Sequence, residues 1–192
     1  MKFGKTSQLY SLNKSTYINL RWIGIIGQFI TINSVKFIFN FEFNFIIANL
    51  IVLIGALSNL FLIFFYNKTY LTNRSALSFL LIDIFQLTAL IYLSGGILNP
   101  FAIFLLIPSV FASSSLDIKT NVILISFTVL SIIFLTFYHE HLPEPLYKSV
   151  TNIYIYYSIP LGLIIALLFL NYFALSFGRE TNLRKEALDK IQ

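Results

Sequence analysis

The chain of 192 residues is 57% hydrophobic and only 11% charged, with a mean hydropathy of +0.81, which excludes an ordinary soluble domain and predicts an integral membrane protein. Its net charge of +5 is assigned to loops and tails, so it indicates orientation in the bilayer and not direct binding of nucleic acid. The chain contains no cysteine, which excludes disulfides, thiolate metal sites and a thiol redox switch within these residues.

Six apolar segments approach the length that crosses about 30 Å of hydrocarbon. They are Leu20–Phe39, Phe45–Phe65, Ala76–Leu93, Phe101–Ser115, Val122–Tyr138 and Ile153–Phe177. Polar side chains interrupt the first segment. The fourth is short and contains Pro108, so a re-entrant segment is the alternative there.

The positive charges favour six spans over five. With six spans and a cytoplasmic N-terminus, every Lys and Arg except Lys36 and Lys148 lies on the inner side, and with five spans this bias disappears. The predicted fold is therefore all-α, with both termini cytoplasmic. Residues 1–19 are a cytoplasmic segment, 20–178 a six-helix transmembrane domain, and 179–192 the start of a cytoplasmic signalling helix.

The first span opens with the segment LRWIGIIGQ, residues 20–28. Arg21 and Trp22 suit the inner interface, where the guanidinium meets lipid phosphate and the indole lies at headgroup depth. The two glycines of this segment permit close helix approach. Gln28 lies deeper and needs a polar partner.

Asp83 and Gln86 are polar residues within the third span. Three positions apart, they share one helix face, which we expect to turn toward the bundle interior. Asp83 is either a proton-linked functional element or a partner in an interhelical hydrogen bond, for example to Gln28 or Asn59. Asp83 lies about 18 Å from Gly95, measured along a helix, so Asp83 and Gly95 cannot contact the same small headgroup.

The segment GGILNPF follows the third span. Gly95 and Gly96 let a partner approach the backbone, and Asn99 offers a donor and an acceptor. Pro100 begins the next helix without wasting an N–H, and Phe101 adds a flat apolar face. From chemistry alone, a capped turn between helices is favoured over a binding site.

Two further segments carry charged or metal-ligating residues. His139-Glu140-His141 is followed by prolines and is predicted to be a loop on the outer side, with no metal site. The tail from Arg179 is helical by propensity, and its apolar stripe from Leu183 to Ile191 is unfinished at the last residue. The stripe favours the start of a dimeric signalling coiled coil over an interfacial helix.

GGILNPF resembles the GGxxNPF signature, and residues 20–28 the LRW…GQ opening, of the RegB/PrrB family of redox-responsive sensor histidine kinases. The resemblance implies a membrane sensor in a bacterial inner (cytoplasmic) membrane that binds ubiquinone or a similar quinone. It assigns quinone binding to Gly95, Gly96, Asn99, Pro100 and Phe101. Asp83, Gln86 and Gln28 are further polar contributors.

The resemblance also implies a homodimer in lipid that controls a kinase part and, through it, a response regulator. ATP would bind only in that kinase part, whose motifs this chain lacks, and no catalytic residue is expected here. Whether the chain is truncated or a sensor-only version stays open.

A proton-coupled transporter that uses Asp83 is the alternative from another class. The absence of internal repeats and of further buried charges disfavours it. A membrane enzyme is a weaker alternative, because HExxH, GxSxG and the acidic cluster of phosphatidyltransferases are missing.

Overall fold

A computed structural model of the chain describes residues 12–38 and 40–141, with helical residues between 159 and 175 (159–161, 163, 164, 167, 168, 170–172, 174 and 175). The strands are β1 (Leu12–Asn13) and β2 (Tyr70–Leu71), and the α-helices are α1 (Lys14–Phe37), α2 (Phe45–Phe65), α3 (Asn73–Tyr92), α4 (Leu106–Ser115) and α5 (Ile118–Phe137). Two 3₁₀ helices, Gly96–Leu98 and Pro100–Leu105, join α3 to α4.

One end of the bundle, called the strand end, is fastened by β1 and β2. These strands pair antiparallel and bring the start of α1 beside the loop between α2 and α3. The Asn13 side chain caps α1 by accepting from the backbone N–H groups of Ser15 and Thr16. Lys14 Nζ donates to the carbonyl oxygens of Ile63, at 3.1 Å, and Tyr66. The cation thereby stabilises the C-terminus of α2.

The opposite end, called the turn end, gathers the end of α3 and the residues after α5. Glu140 N donates to the Tyr92 carbonyl oxygen at 2.9 Å, and Asn44 Nδ2 donates to Glu140 Oε1 at 3.3 Å. Lys36 lies in the last turn of α1 at this end. Lys36, GGILNPF and His139–His141 therefore lie at one end of the bundle, as expected, and their placement on one side of the membrane stays a prediction.

Two apolar clusters fill the bundle, one toward each end. The strand-end cluster draws on all five α-helices and both strands, and its buried members include Leu71, Leu80, Ile84, Leu116 and Leu124. The turn-end cluster joins the 3₁₀ helices to α5 and includes Ile97, Leu105, Ile132, Leu135, Leu163 and Leu167. The GGILNPF segment is thus anchored through Ile97, which is fully buried.

The helix bounds agree with the predicted spans to differing degrees. The helices α2, α3 and α5 are long and apolar enough to cross a membrane, and Pro100–Ser113 is a shorter apolar helix. The second span coincides with α2, whereas the helix of the first span begins at Lys14, because Asn13 caps it, and not at Leu20. The fourth begins as a 3₁₀ helix. The six-span count stays a prediction, and the 179–192 tail lies outside the described residues.

Candidate functional site

The connection between α3 and α4, residues 94–101, is called the glycine turn. Gly95 and Gly96 have φ values of 104° and 61°, in the left-handed region that residues with a Cβ rarely adopt. A Cβ on Gly96 would also overlap the ring of His139. Glycine at 96 is therefore required both by its backbone conformation and by its neighbour.

Asn99 fastens the glycine turn from inside. Its Oδ1 accepts from Phe101 N at 2.8 Å, and its Nδ2 donates to Ser94 O at 2.9 Å and to Ser94 Oγ at 2.7 Å. Pro100 occupies the first position of the second 3₁₀ helix, where no N–H is needed. Both amide protons of Asn99 are thus committed, so a hydrogen bond from them to a ligand would replace one to Ser94.

A cavity of about 1000 Å³ lies between α1 on one side and α3, the glycine turn and α4 on the other. Near the turn end its wall includes Asn99, Pro100 and Phe101. Toward the strand end it reaches Arg21 and Asp83, about 16 Å from Ser94 measured along α3. The cavity therefore connects predicted binding residues that are separated along the sequence.

Phe101 presents an apolar ring to this cavity. Its side chain is 41% exposed, and its ring stacks on that of Phe104 with 5.8 Å between centroids. Both rings line the cavity. The pair forms a flat apolar surface, suited to packing against another ring.

At the other end of the cavity, Asp83 is held by two side chains of α1. Arg21 donates from Nε to Asp83 Oδ1 at 2.9 Å and pairs with the same oxygen from its second nitrogen at 2.8 Å. The Tyr17 hydroxyl donates to Asp83 Oδ2 at 2.5 Å. Arg21 also donates to Ser58 Oγ at 2.5 Å and lies 3.5 Å from Asn59 Oδ1, both on α2. This ion-pair cluster connects three helices.

A second polar bridge lies nearer the turn end. Gln86 Nε2 donates to Gln28 Oε1 at 2.8 Å, and both side chains line the cavity. The Gln86 amide lies against Gly55 of α2, where a Cβ would overlap it. Gly55 therefore leaves the room that lets Gln86 reach across to α1.

Three interpretations of these residues change. The sequence predicts that Arg21 faces lipid phosphate, but Arg21 is only 6% exposed. Its guanidinium pairs with the Asp83 carboxylate of α3, which takes the place of the lipid phosphate as its anionic partner. Asp83 bonds to Arg21 and Tyr17 in place of the predicted Gln28 or Asn59. Gly24 and Gly27 line the cavity, and a Cβ on either would have nothing within 4 Å, so they open space and do not bring helices together.

The His139-Glu140-His141 segment has a packing role in its described contacts. The His139 ring covers Gly96, and its Nδ1 lies 2.8 Å from the Glu140 carbonyl oxygen. Glu140 is fixed to Tyr92 and Asn44, as given above. The segment thereby holds the glycine turn against the end of α5.

Sequence reasoning misses Tyr17, Ser58 and the part Asn59 plays with Arg21. It places Tyr17 in the segment before the first span. One signal is available in the sequence: Tyr17 and Arg21 are four residues apart and so share a helix face. Their partner, 62 residues from Arg21, has no local signature.

The comparisons agree with this architecture. Residues 25–187 match the family of PilS-like transmembrane domains. The chain is 31% identical to the sensor histidine kinase RegB of Cereibacter sphaeroides over 125 residues, which are 65% of this chain and 27% of that protein. The chain thus spans about a quarter of the curated relative that it matches, and no solved structure matches it. The chain belongs to the family of PilS-like transmembrane domains.

Proposed function

We propose that the chain is the redox-sensing membrane module of a two-component sensor histidine kinase, and that it binds a quinone such as ubiquinone in the cavity beside the glycine turn. The observation that carries the proposal is the cavity itself, which is mostly apolar and is bounded at one end by Asn99, Pro100 and Phe101. The similarity to a sensor histidine kinase supports the signalling role.

The chemistry of the cavity suits a flat ring with an apolar tail. Its volume of about 1000 Å³ is at the upper end of the range for small-molecule sites. The stacked rings of Phe101 and Phe104 offer a face for the ring of a quinone. Gly95 and Gly96 shape the turn that carries Phe101, and Asn99 holds that turn through Ser94.

Signalling requires the quinone to favour one helix arrangement over another. The cavity separates α1 from α3, and the ion-pair cluster and the Gln28–Gln86 bridge cross this gap. A ligand between these helices would change their separation and thereby strain the hydrogen bonds of both bridges. We propose that the last span passes this change to a kinase part, which acts on a response regulator, and that the signalling unit is a homodimer.

The proton-coupled transporter is not proposed. A carboxylate that carries protons must change its charge, whereas Asp83 is fixed by the Arg21 guanidinium and the Tyr17 hydroxyl. Neutralising it would leave the guanidinium without a charged partner in the bundle.

A photoactivatable ubiquinone analogue tests the proposal on the full chain in lipid nanodiscs. After illumination, mass spectrometry should find adducts on cavity-lining residues, including Phe101 and Phe104, and excess unlabelled ubiquinone should suppress them. Phe101→Ala should weaken binding about tenfold.

The matched control is Phe61→Ala. Phe61 stacks on Phe65 with 4.9 Å between centroids, and neither lines the cavity. Its variant should bind like the parent. Adducts confined to the outer face of α2, or adducts that excess ubiquinone does not suppress, would contradict the proposal.

A further inference from the structure

The Gln28–Gln86 bridge has hydrogen-bonding capacity left over. The single bond between the two amides uses one proton of Gln86 Nε2 and one acceptor site of Gln28 Oε1. Within the described part of the chain, Gln28 Nε2 donates to no protein atom, and Gln86 Oε1 accepts from none. Both side chains line the cavity. A donor and an acceptor are therefore offered to whatever occupies that space.

The other polar groups of the cavity wall are largely committed. Both Asn99 amide protons go to Ser94, and the Asp83 carboxylate is occupied by Tyr17 and Arg21. The remaining donors of this wall among the described residues are the second amide proton of Gln86, one N–H of Arg21 at the strand end, and the Thr31 hydroxyl, which lies one turn beyond Gln28 on α1. The uncommitted donors thus concentrate around Gln28.

The amide pair is also held in place. Gln86 is wedged between Gly55 on α2 and Gln28 on α1, since no Cβ fits at Gly55. Gln28 lies next to Gly27, which leaves open space beside it. A fixed donor beside an open apolar space is the arrangement that recognises one carbonyl oxygen on an otherwise apolar ligand.

We infer that Gln28, held by Gln86, is the polar anchor of the cavity and donates from Nε2 to a ring carbonyl oxygen of the bound quinone. This inference rests on the proposed function and relocates its polar contact. The carbonyl is recognised about 12 Å from Ser94, measured along α3, and not by Asn99. The glycine turn then forms the apolar end of the same cavity.

Infrared spectroscopy of a quinone with ¹³C-labelled carbonyls, bound to the full chain in nanodiscs, tests the anchor. A hydrogen bond lowers the carbonyl stretching frequency, so the parent should show a band below that of quinone in lipid alone. Gln28→Leu should remove the lowered band and weaken binding about fivefold to tenfold. Gln86→Leu, which leaves Gln28 unsupported, should broaden the band and weaken binding less.

The control is Asn33→Leu. Asn33 makes the other amide pair of α1, to Asn49 at 3.3 Å, but does not line the cavity. Its variant should keep both the band and the affinity. Circular dichroism identifies folded variants, and Gln28→Ala replaces Gln28→Leu if the latter does not fold.

The outcomes separate the two claims. Absence of saturable binding by the parent would overturn the proposed function and this inference with it. Binding that persists with an unchanged lowered band in Gln28→Leu would overturn the anchor alone. Loss of the band in Thr31→Val but not in Gln28→Leu would move the anchor to Thr31 and refute the assignment to Gln28.

Discussion

Removing Asp83 should destabilise the bundle strongly, because it would leave Arg21 buried without its charged partner. The Arg21 side chain is 5% exposed and that of Asp83 is 17% exposed. The guanidinium also lies 5.5 Å from the Tyr17 ring and 5.8 Å from the Phe79 ring. In Asp83→Leu these contacts remain, but nothing offsets the positive charge.

The size of the effect follows from three contacts to the carboxylate, one from Tyr17 and two from Arg21. Interhelical polar contacts in membranes contribute about 0.6 kcal/mol on average and about 1.7 kcal/mol at most, which gives about 2 to 5 kcal/mol for three. Breaking one side of a buried ion pair costs about 3 to 5 kcal/mol. We therefore expect a loss of about 3 kcal/mol for Asp83→Leu.

A double-mutant cycle measures this coupling. Asp83→Leu, Arg21→Met and the double variant are unfolded reversibly with SDS in mixed micelles and followed by circular dichroism. Each single variant should lose about 3 kcal/mol. The double variant should also lose about 3 kcal/mol and not the sum of about 6, because neither charge is then stranded. Additive losses, or a single variant as stable as the parent, would refute the pairing.

Further predictions concern the turn, the topology and the dimer. Gly96→Ala should lose about 1 to 3 kcal/mol in the same assay, because it strains the backbone and meets His139; parental stability would show that the turn relaxes freely. Cysteines placed at Lys36 and Glu140 should react with an impermeant maleimide from the same side of sealed vesicles, and one at Lys68 from the other side only; labelling of all three from one side would contradict the two ends of the bundle. Cysteines at Ala187 or Ile191, which lie outside the described residues, should crosslink two copies in native membranes, and failure at all neighbouring positions would count against the homodimer.

Much of the helical framework can be predicted from the sequence, because it depends on local signals. The apolar run of α2 is bounded by Asn44 and Tyr66, so the sequence predicts both of its ends. The start of α1 is missed because the helix continues for six polar or mixed residues before Leu20, from a cap at Asn13. Local hydropathy underestimates the length of such a helix, because the polar side chains of its first turns bind groups elsewhere in the chain.

The cavity and its polar bridges cannot be predicted in this way. Arg21 and Asp83 are 62 residues apart, and Gln28 and Gln86 are 58 apart. A cation near the start of a span is ordinarily an interfacial anchor, so local reasoning assigns Arg21 to lipid. Its partner becomes visible only in the tertiary structure, where the guanidinium reaches both α2 and α3. The role of Asn99 in fastening the turn is accessible from the sequence, because Asn before Pro favours such capping.

Whether quinone occupies this cavity is tested most directly by filling it. Gly24 and Gly27 line the cavity, and a Cβ on either would meet no atom within 4 Å, so Gly27→Leu should fold normally while occupying the ligand's space. Ile26→Phe is the control, because Ile26 is 53% exposed and lies outside the cavity lining. Equilibrium binding of ubiquinone in nanodiscs should weaken at least about tenfold in Gly27→Leu and stay at the parental value in Ile26→Phe. Parental affinity in a folded Gly27→Leu protein would contradict quinone binding in the cavity.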